Sequence, residues 1–568
     1  MALLYETLNI EIADYKAAVE RWTTMLERTH SWETPQRVTI GASAAFSTEI
    51  KHDMIKMGDY RPYASTQHCR AQSAVPNFET QVLIDFFCKL PSLSDLEWHS
   101  RTPLVPPLLQ VLRDQLPNCN LHLKPFHILY NAEPSYIRST LCLPSFQTIW
   151  LERQQHDAAI QDLVQHILRA PDGNLRELRI LWTHTGASPY PDPDPIVSVW
   201  DPELVANNGE KLGQLQSLQL TGLQGAEGTS LQKWARHTDF GQLRALSLEL
   251  RITQAALETM INLPLHSLHS LGLVLDWCDK SDHYSATFQI FICNLPSLAH
   301  LHLTGALPSL TLKAILDHLG SALHTLYLIP GGRNPSRLSF DSSTIALVTD
   351  SCTHLQELGI TMRRAWNKPG EDIAVLKAIG RMQHLSSLDL NFEASDLNVL
   401  FQPNDASEPK NLAPFDPFFS AFDKEPFDTP FFCGPSLRKG HVRDALMNSA
   451  IDVELAKEVF NTILSATPDG ETPSLQCLSL KAKGGGYFRT GTSEQVLPMP
   501  LYPRSWVRSG RNGLWRELAT SIFSRHAVRK QRKSMKSMKR MKRMKSLSCR
   551  IHLIGMSRLY SEEYGLVL

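Results

Sequence analysis

From Arg529 to Lys545 the chain carries ten cations and no acid: Arg529, Lys530, Arg532, Lys533, Lys536, Lys539, Arg540, Lys542, Arg543 and Lys545. Clustered cations attract polyanions in a salt-dependent way. Arg529, Lys530, Arg532, Lys533, Lys539, Arg540, Lys542 and Arg543 therefore stand as candidates for nuclear targeting, and the tract as a candidate patch for nucleic acid or acidic lipid. No aromatic side chain is interleaved to stack on bases, so nucleic-acid binding is not favoured. Met535, Met538, Met541 and Met544 recur every third residue and would spiral round a helix by about 60° per copy, which argues against a membrane anchor. A solvated low-complexity tail without a selected partner explains the same residues.

Catalytic patterns are sparse. The segment from Gly486 through Gly491 to Ser493 has the glycines of a phosphate loop, but no lysine follows the last glycine, and Pro498 and Pro500 interrupt the helix such a loop requires. Neither a Gly-x-Ser-x-Gly elbow nor a His-Glu-x-x-His zinc helix occurs. The ten cysteines include no Cys-x-x-Cys pair. Cys119, Cys293 and Cys352 sit beside expected strands and read as small buried thiols. We expect no enzyme, no cofactor and no metal.

The bulk numbers agree with a folded interaction protein. Hydrophobic residues make up 42% and charged residues 20%, and 57 basic residues balance 57 acidic ones, so no global charge selects a polyanionic partner. No apolar run reaches the roughly 18–20 residues needed to cross a bilayer, and the first residues lack the basic and apolar regions of a signal peptide. Pro335 spoils the one tempting glycosylation site, at Asn334. No membrane association and a cytoplasmic and/or nuclear location are expected.

What positions side chains is a repeated phrase, Leu-x-x-Leu-x-Leu, beginning at Leu215, Leu243, Leu268, Leu298, Leu323 and Leu385, with a close variant at Leu355. The intervals from Leu215 onward are 28, 25, 30, 25, 32 and 30 residues, the spacing of a stacked solenoid. Helical stretches precede the copies, as at 255–262, 312–319 and 372–379. Weaker copies at Leu93, Leu121, Phe146 and Leu175, the last after a helical stretch at 158–167, extend the array forward, and one at Leu475 extends it backward. The expected fold is α/β: a leucine-rich-repeat solenoid, or horseshoe, with parallel concave strands, convex helices and a basic C-terminal tail.

Side chains alternate along a strand, so the leucines fill the core and the intervening residues face out. Partner-binding candidates are therefore Arg179, Gln219, Ser247, Glu249, His302, Tyr327, Asp389 and Lys481, offered to a protein partner on the concave face. The expected organisation is an N-terminal helical or cap region at 1–80, the solenoid at 81–400, a Phe/Pro-rich insertion at 401–440, a final repeat with its cap at 441–510, and a helix, at 514–523, with a basic tail at 511–568. The insertion carries Phe415, Phe418, Phe419, Phe422, Phe427, Phe431 and Phe432, and either packs on the solenoid or joins a partner surface. One helix is expected over 442–464, and the prolines of 188–195 mark a loop.

With the repeats in place, the chain resembles fungal F-box/leucine-rich-repeat proteins. The phrase from Cys352 through Leu355 and Leu358 to Ile360 is similar to their cysteine-containing repeats, and Leu3 to Leu8 is similar to the short strand that follows an F-box. The resemblance implies a substrate-recognition subunit of a cullin-type ubiquitin ligase, which docks on Skp1 through the F-box. No Leu-Pro-x-Glu phrase precedes Leu3. Skp1 and cullin are thus implied as partners only if the full-length product carries an F-box. A stand-alone repeat scaffold and a nuclear or RNA-associated factor using the basic tail are the alternatives.

Overall fold

The computed structural model describes residues 6–11, 14–41, 80–99, 104, 106–126, 146–154, 175–183, 214–221, 231–232, 234–235, 238–275, 282–305, 307, 309–330, 340–364, 369–394, 419–425, 438–467 and 474–483. The helices expected at 158–167 and 514–523, the loop at 188–195, the glycine segment at 486–493 and the basic tract at 529–545 lie outside them.

Alternating leucines make strands, and the strands make one sheet. In chain order they are β1 (Thr7–Glu11), β2 (Arg37–Gly41), β3 (Asp95–His99), β4 (Asn120–Phe126), β5 (Phe146–Gln154), β6 (Glu177–Thr183), β7 (Ser217–Thr221), β8 (Ala245–Ile252), β9 (Ser270–Leu275), β10 (His300–Gly305), β11 (Thr325–Pro330), β12 (Glu357–Arg363), β13 (Ser387–Glu393) and β14 (Cys477–Lys483). Their order in the open sheet is the order of the chain, and every neighbouring pair is parallel.

Register keeps equivalent residues level. Leu178, Leu218, Leu246, Leu271, Leu301, Leu326, Leu358, Leu388 and Leu478 form one row from β6 to β14. Ile180, Leu220, Leu248, Leu273, Leu303, Leu328, Ile360, Leu390 and Leu480 form the next. All are buried, so shortening any of them to alanine costs about 2–5 kcal/mol.

A second regularity locks the rungs together. From β6 to β14 one backbone carbonyl at each step receives two amides from the next rung: Arg244 O accepts from His269 and Ser270, His269 O from Ala299 and His300, and His324 O from Gln356 and Glu357. The same bonding appears far upstream, where Glu6 O accepts from Gln36 and Arg37, and Gln36 O from Ser94 and Asp95. β1 and β2 therefore repeat the unit inside the region expected as an N-terminal cap.

The helices α1 (Tyr15–Thr29), α2 (Thr80–Phe87), α3 (Pro106–Asp114), α4 (Gln254–Ile261), α5 (Asp282–Cys293), α6 (Ser309–Leu319), α7 (Ser342–Ser351), α8 (Pro369–Ile379), α9 (Lys439–Ser449) and α10 (Val453–Leu464) connect the strands. Leu257, Ile315, Val348, Leu376 and Val459 join the leucine rows in one continuous apolar core. That core shields one face of the sheet and leaves the intervening row on the other.

The single helix expected over 442–464 is two, α9 and α10. Ala450 and Ile451 separate them, and the Asp452 carboxylate accepts from Leu455 N at 2.8 Å, which caps the start of α10. Within the Phe/Pro-rich insertion, Phe419 is buried against Gly440, where a Cβ would stand 2.6 Å from its ring, and meets the His441 ring edge-on at 5.1 Å. The other described phenylalanine, Phe422, is exposed beneath the Lys439 ammonium. Helix α9 in turn touches β13 and β14.

Candidate functional site

The face away from the helices carries the intervening row, from Arg179 through Gln219, Ser247, Gly272, His302, Tyr327, Gly359 and Asp389 to Ser479. Glu249 and Lys481 lie on the same face, two residues beyond Ser247 and Ser479. All eight candidates from the sequence therefore share this face. They do not share an environment.

Arg179, His302, Tyr327 and Asp389 are buried, so the expectation that intervening residues stand out in solvent fails for half of the set. The cause is lateral packing between rungs. The His302 and Tyr327 rings stack with centroids 5.1 Å apart, and Tyr327 lies over Gly359. Burial, reinforced by the nearby Asp389 and Glu357 carboxylates, pushes the Tyr327 phenol upward, so it stays protonated. Asp389 pairs with Lys481 at 3.6 Å. His302, Tyr327 and Asp389 thus pack rung against rung along this face.

The half-buried portion runs from β3 to β8 and centres on Trp150. Its indole N–H donates to Glu177 Oε1 at 3.1 Å. Lys124 on β4 places its ammonium 5.3 Å from the ring centroid, and Arg179 on β6 places its guanidinium 5.0 Å away. Two cations from flanking strands thus hold one aromatic plate, an arrangement worth about 0.5–2 kcal/mol per contact.

Acids interleave with these cations. Glu97 accepts from His99 Nε2 at 2.9 Å, and that bond, with Lys124 at 4.0 Å, outweighs burial and holds its carboxyl down at about 2. Burial opposes ionisation of Asp95 too, yet Ser94 at 2.7 Å, Asn120 at 3.1 Å and His122 at 3.2 Å hold it below the usual carboxylate range.

His122 is lowered by burial despite facing Asp95, so near neutral pH it is the uncharged donor through Nε2. Its Nδ1 then accepts from the Thr148 hydroxyl at 2.9 Å. Glu249 is pushed upward by burial, against the pull of Arg179 and hydrogen bonds from Gln219 and Thr221.

Sequence reasoning named Arg179, Gln219, Ser247 and Glu249 in this strip and missed Glu97, His99, His122, Lys124, Trp150 and Glu177. The signal was present for some: Glu97, His122 and Trp150 are intervening residues of the weaker copies. Among the described residues no three His, Cys, Asp or Glu side chains converge as a metal site, and no helix is long and apolar enough to cross a membrane. Burial pushes the Cys119 and Cys352 thiols up to about 12, which makes them poor nucleophiles. What the strip offers is an aromatic plate ringed by fixed charges of both signs. No protein-family model matches the chain, and no curated protein matches it.

Proposed function

We propose that this chain is a non-enzymatic, leucine-rich-repeat recognition scaffold, related to the substrate receptors of cullin-type ubiquitin ligases, whose β3–β8 strip binds a protein partner. The observation that carries it is Trp150 held between Lys124 and Arg179 amid Glu97, Glu177 and Glu249. An aromatic residue with a rigid pose and a mixed-charge rim is what a binding hot spot needs, because ordering costs are met before the partner arrives. The repeated sheet supports the scaffold role, since it is built rung by rung and presents one continuous face.

The test is to recover partners of the tagged full chain under crosslinking, then measure binding of each by the parent and by Trp150→Ala. Loss of about 2 kcal/mol, roughly thirtyfold in affinity, is expected, with a cooperative thermal transition retained and its midpoint lowered only by the lost Lys124, Arg179 and Glu177 contacts. Unchanged affinity for every recovered partner rejects the strip as the interface. Recovery of Skp1 and cullin separates a ligase receptor from a stand-alone scaffold.

A further inference from the structure

The edge where the strands begin carries a row of imidazoles that the β3–β8 strip does not use. In five successive strands, β9 to β13, an exposed histidine stands at the first residue or within three residues before it: His269, His300, His324, His354 and His384. The His324 and His354 ring centroids are 6.5 Å apart, and those of His354 and His384 are 6.3 Å apart. His300 is level with Ser270 and Thr325, the residues that directly follow His269 and His324, which joins the row across β9 to β11. Its backbone is fixed, because the His269 and His324 carbonyls each hold two amides of the next rung.

We propose that this row docks an extended acidic segment of a partner protein, with carboxylates at alternate positions. Side chains two apart on an extended chain point the same way and repeat every ~6.4–6.8 Å. That spacing matches the 6.3 and 6.5 Å between the imidazoles, so successive carboxylates meet successive rings. Imidazole N–H groups donate to carboxylates, and protonation adds charge complementarity as pH falls through the range where histidine titrates. Burial lowers His300 from its ordinary value, which favours its neutral form.

Glu357 on β12 acts on His300 and is the competing acid, and Asp350 lies in the last turn of α7. Arg244, one rung before His269, and Arg381, three residues before His384, add cations at the two ends. This surface is independent of the Trp150 strip and stands or falls separately.

The probe is a labelled peptide of alternating Glu and Ser, titrated into the full chain at about pH 6 and about pH 8. The tract from Arg529 to Lys545 attracts any polyanion, so the readout is the difference between the parent and a variant combining His324→Gln, His354→Gln and His384→Gln. The parent is expected to bind about tenfold tighter than the triple variant at the lower pH, with the gap shrinking at the higher pH. His384→Gln alone is expected to cost about two- to threefold. Identical affinities of parent and triple variant overturn the proposal. So does an equal histidine dependence for a peptide with its glutamates in one block, or for an RNA oligomer of matched charge.

Discussion

The ring of Tyr327 occupies the space that a side chain at Gly359 would need: a Cβ built there would lie 2.0 Å from Tyr327 Cδ1. The two residues are level on neighbouring strands, 32 positions apart in sequence. Glycine at position 359 is therefore a packing requirement imposed by the preceding repeat. Gly359→Ala is expected to force the ring off its rotamer and lower stability by about 1–3 kcal/mol. Adding Tyr327→Ala removes the clash, so the double variant should lose less than the two single losses combined. Thermal midpoints of the four proteins check this; strict additivity counts against it.

That pairing also shows where sequence reasoning stops. Leu-x-Leu announces its own strand, because alternation is local, and the rows from Leu178 to Leu478 follow from it. β2 was hidden because Val38-Thr39-Ile40 lacks the leading leucine, and β1, at Thr7–Glu11, only overlaps the end of the short strand expected at Leu3 to Leu8, although both carry the same backbone ladder. The buried state of Tyr327 was not legible, since it depends on which residue the next rung sets beside it. The Trp150 cluster was half legible: the tryptophan stands in a weak copy, but Lys124 reaches it from a strand whose register slips before Phe126. Pro125 sits at that slip and has no amide to give the ladder.

Acid should disturb the strip at a defined place. Glu97 is held down at about 2, mainly by its bond from His99, against an ordinary value near 4.5. A carboxyl depressed on folding contributes stability above its unfolded value and loses it as pH falls toward the folded one. Glu97 thus adds stability at neutral pH that disappears between about pH 4.5 and 2, up to about 2–3 kcal/mol. Glu97→Gln should flatten that part of the profile of thermal midpoint against pH. Parallel profiles for parent and variant would show that Glu97 is not the group responsible.

Thiol chemistry should sort the cysteines by depth. Cys293, expected as a buried thiol, is exposed instead, whereas Cys119 and Cys352 are buried with thiols pushed up to about 12. Brief alkylation of the native protein near neutral pH, read by peptide mass, should label Cys293 and leave Cys119 and Cys352 until denaturant is added. Early labelling of Cys352 would mean that the α7 to β12 turn opens far more readily than its packing implies.

The most direct test of the recognition proposal is positional. A photo-crosslinking residue placed at Gln219, on the face away from the helices, is compared with one at Ile290, which is exposed on α5 across the sheet. Adducts to a purified partner should form from Gln219 and be absent from Ile290. Adducts from Ile290 with none from Gln219 would place recognition on the helices and contradict the account.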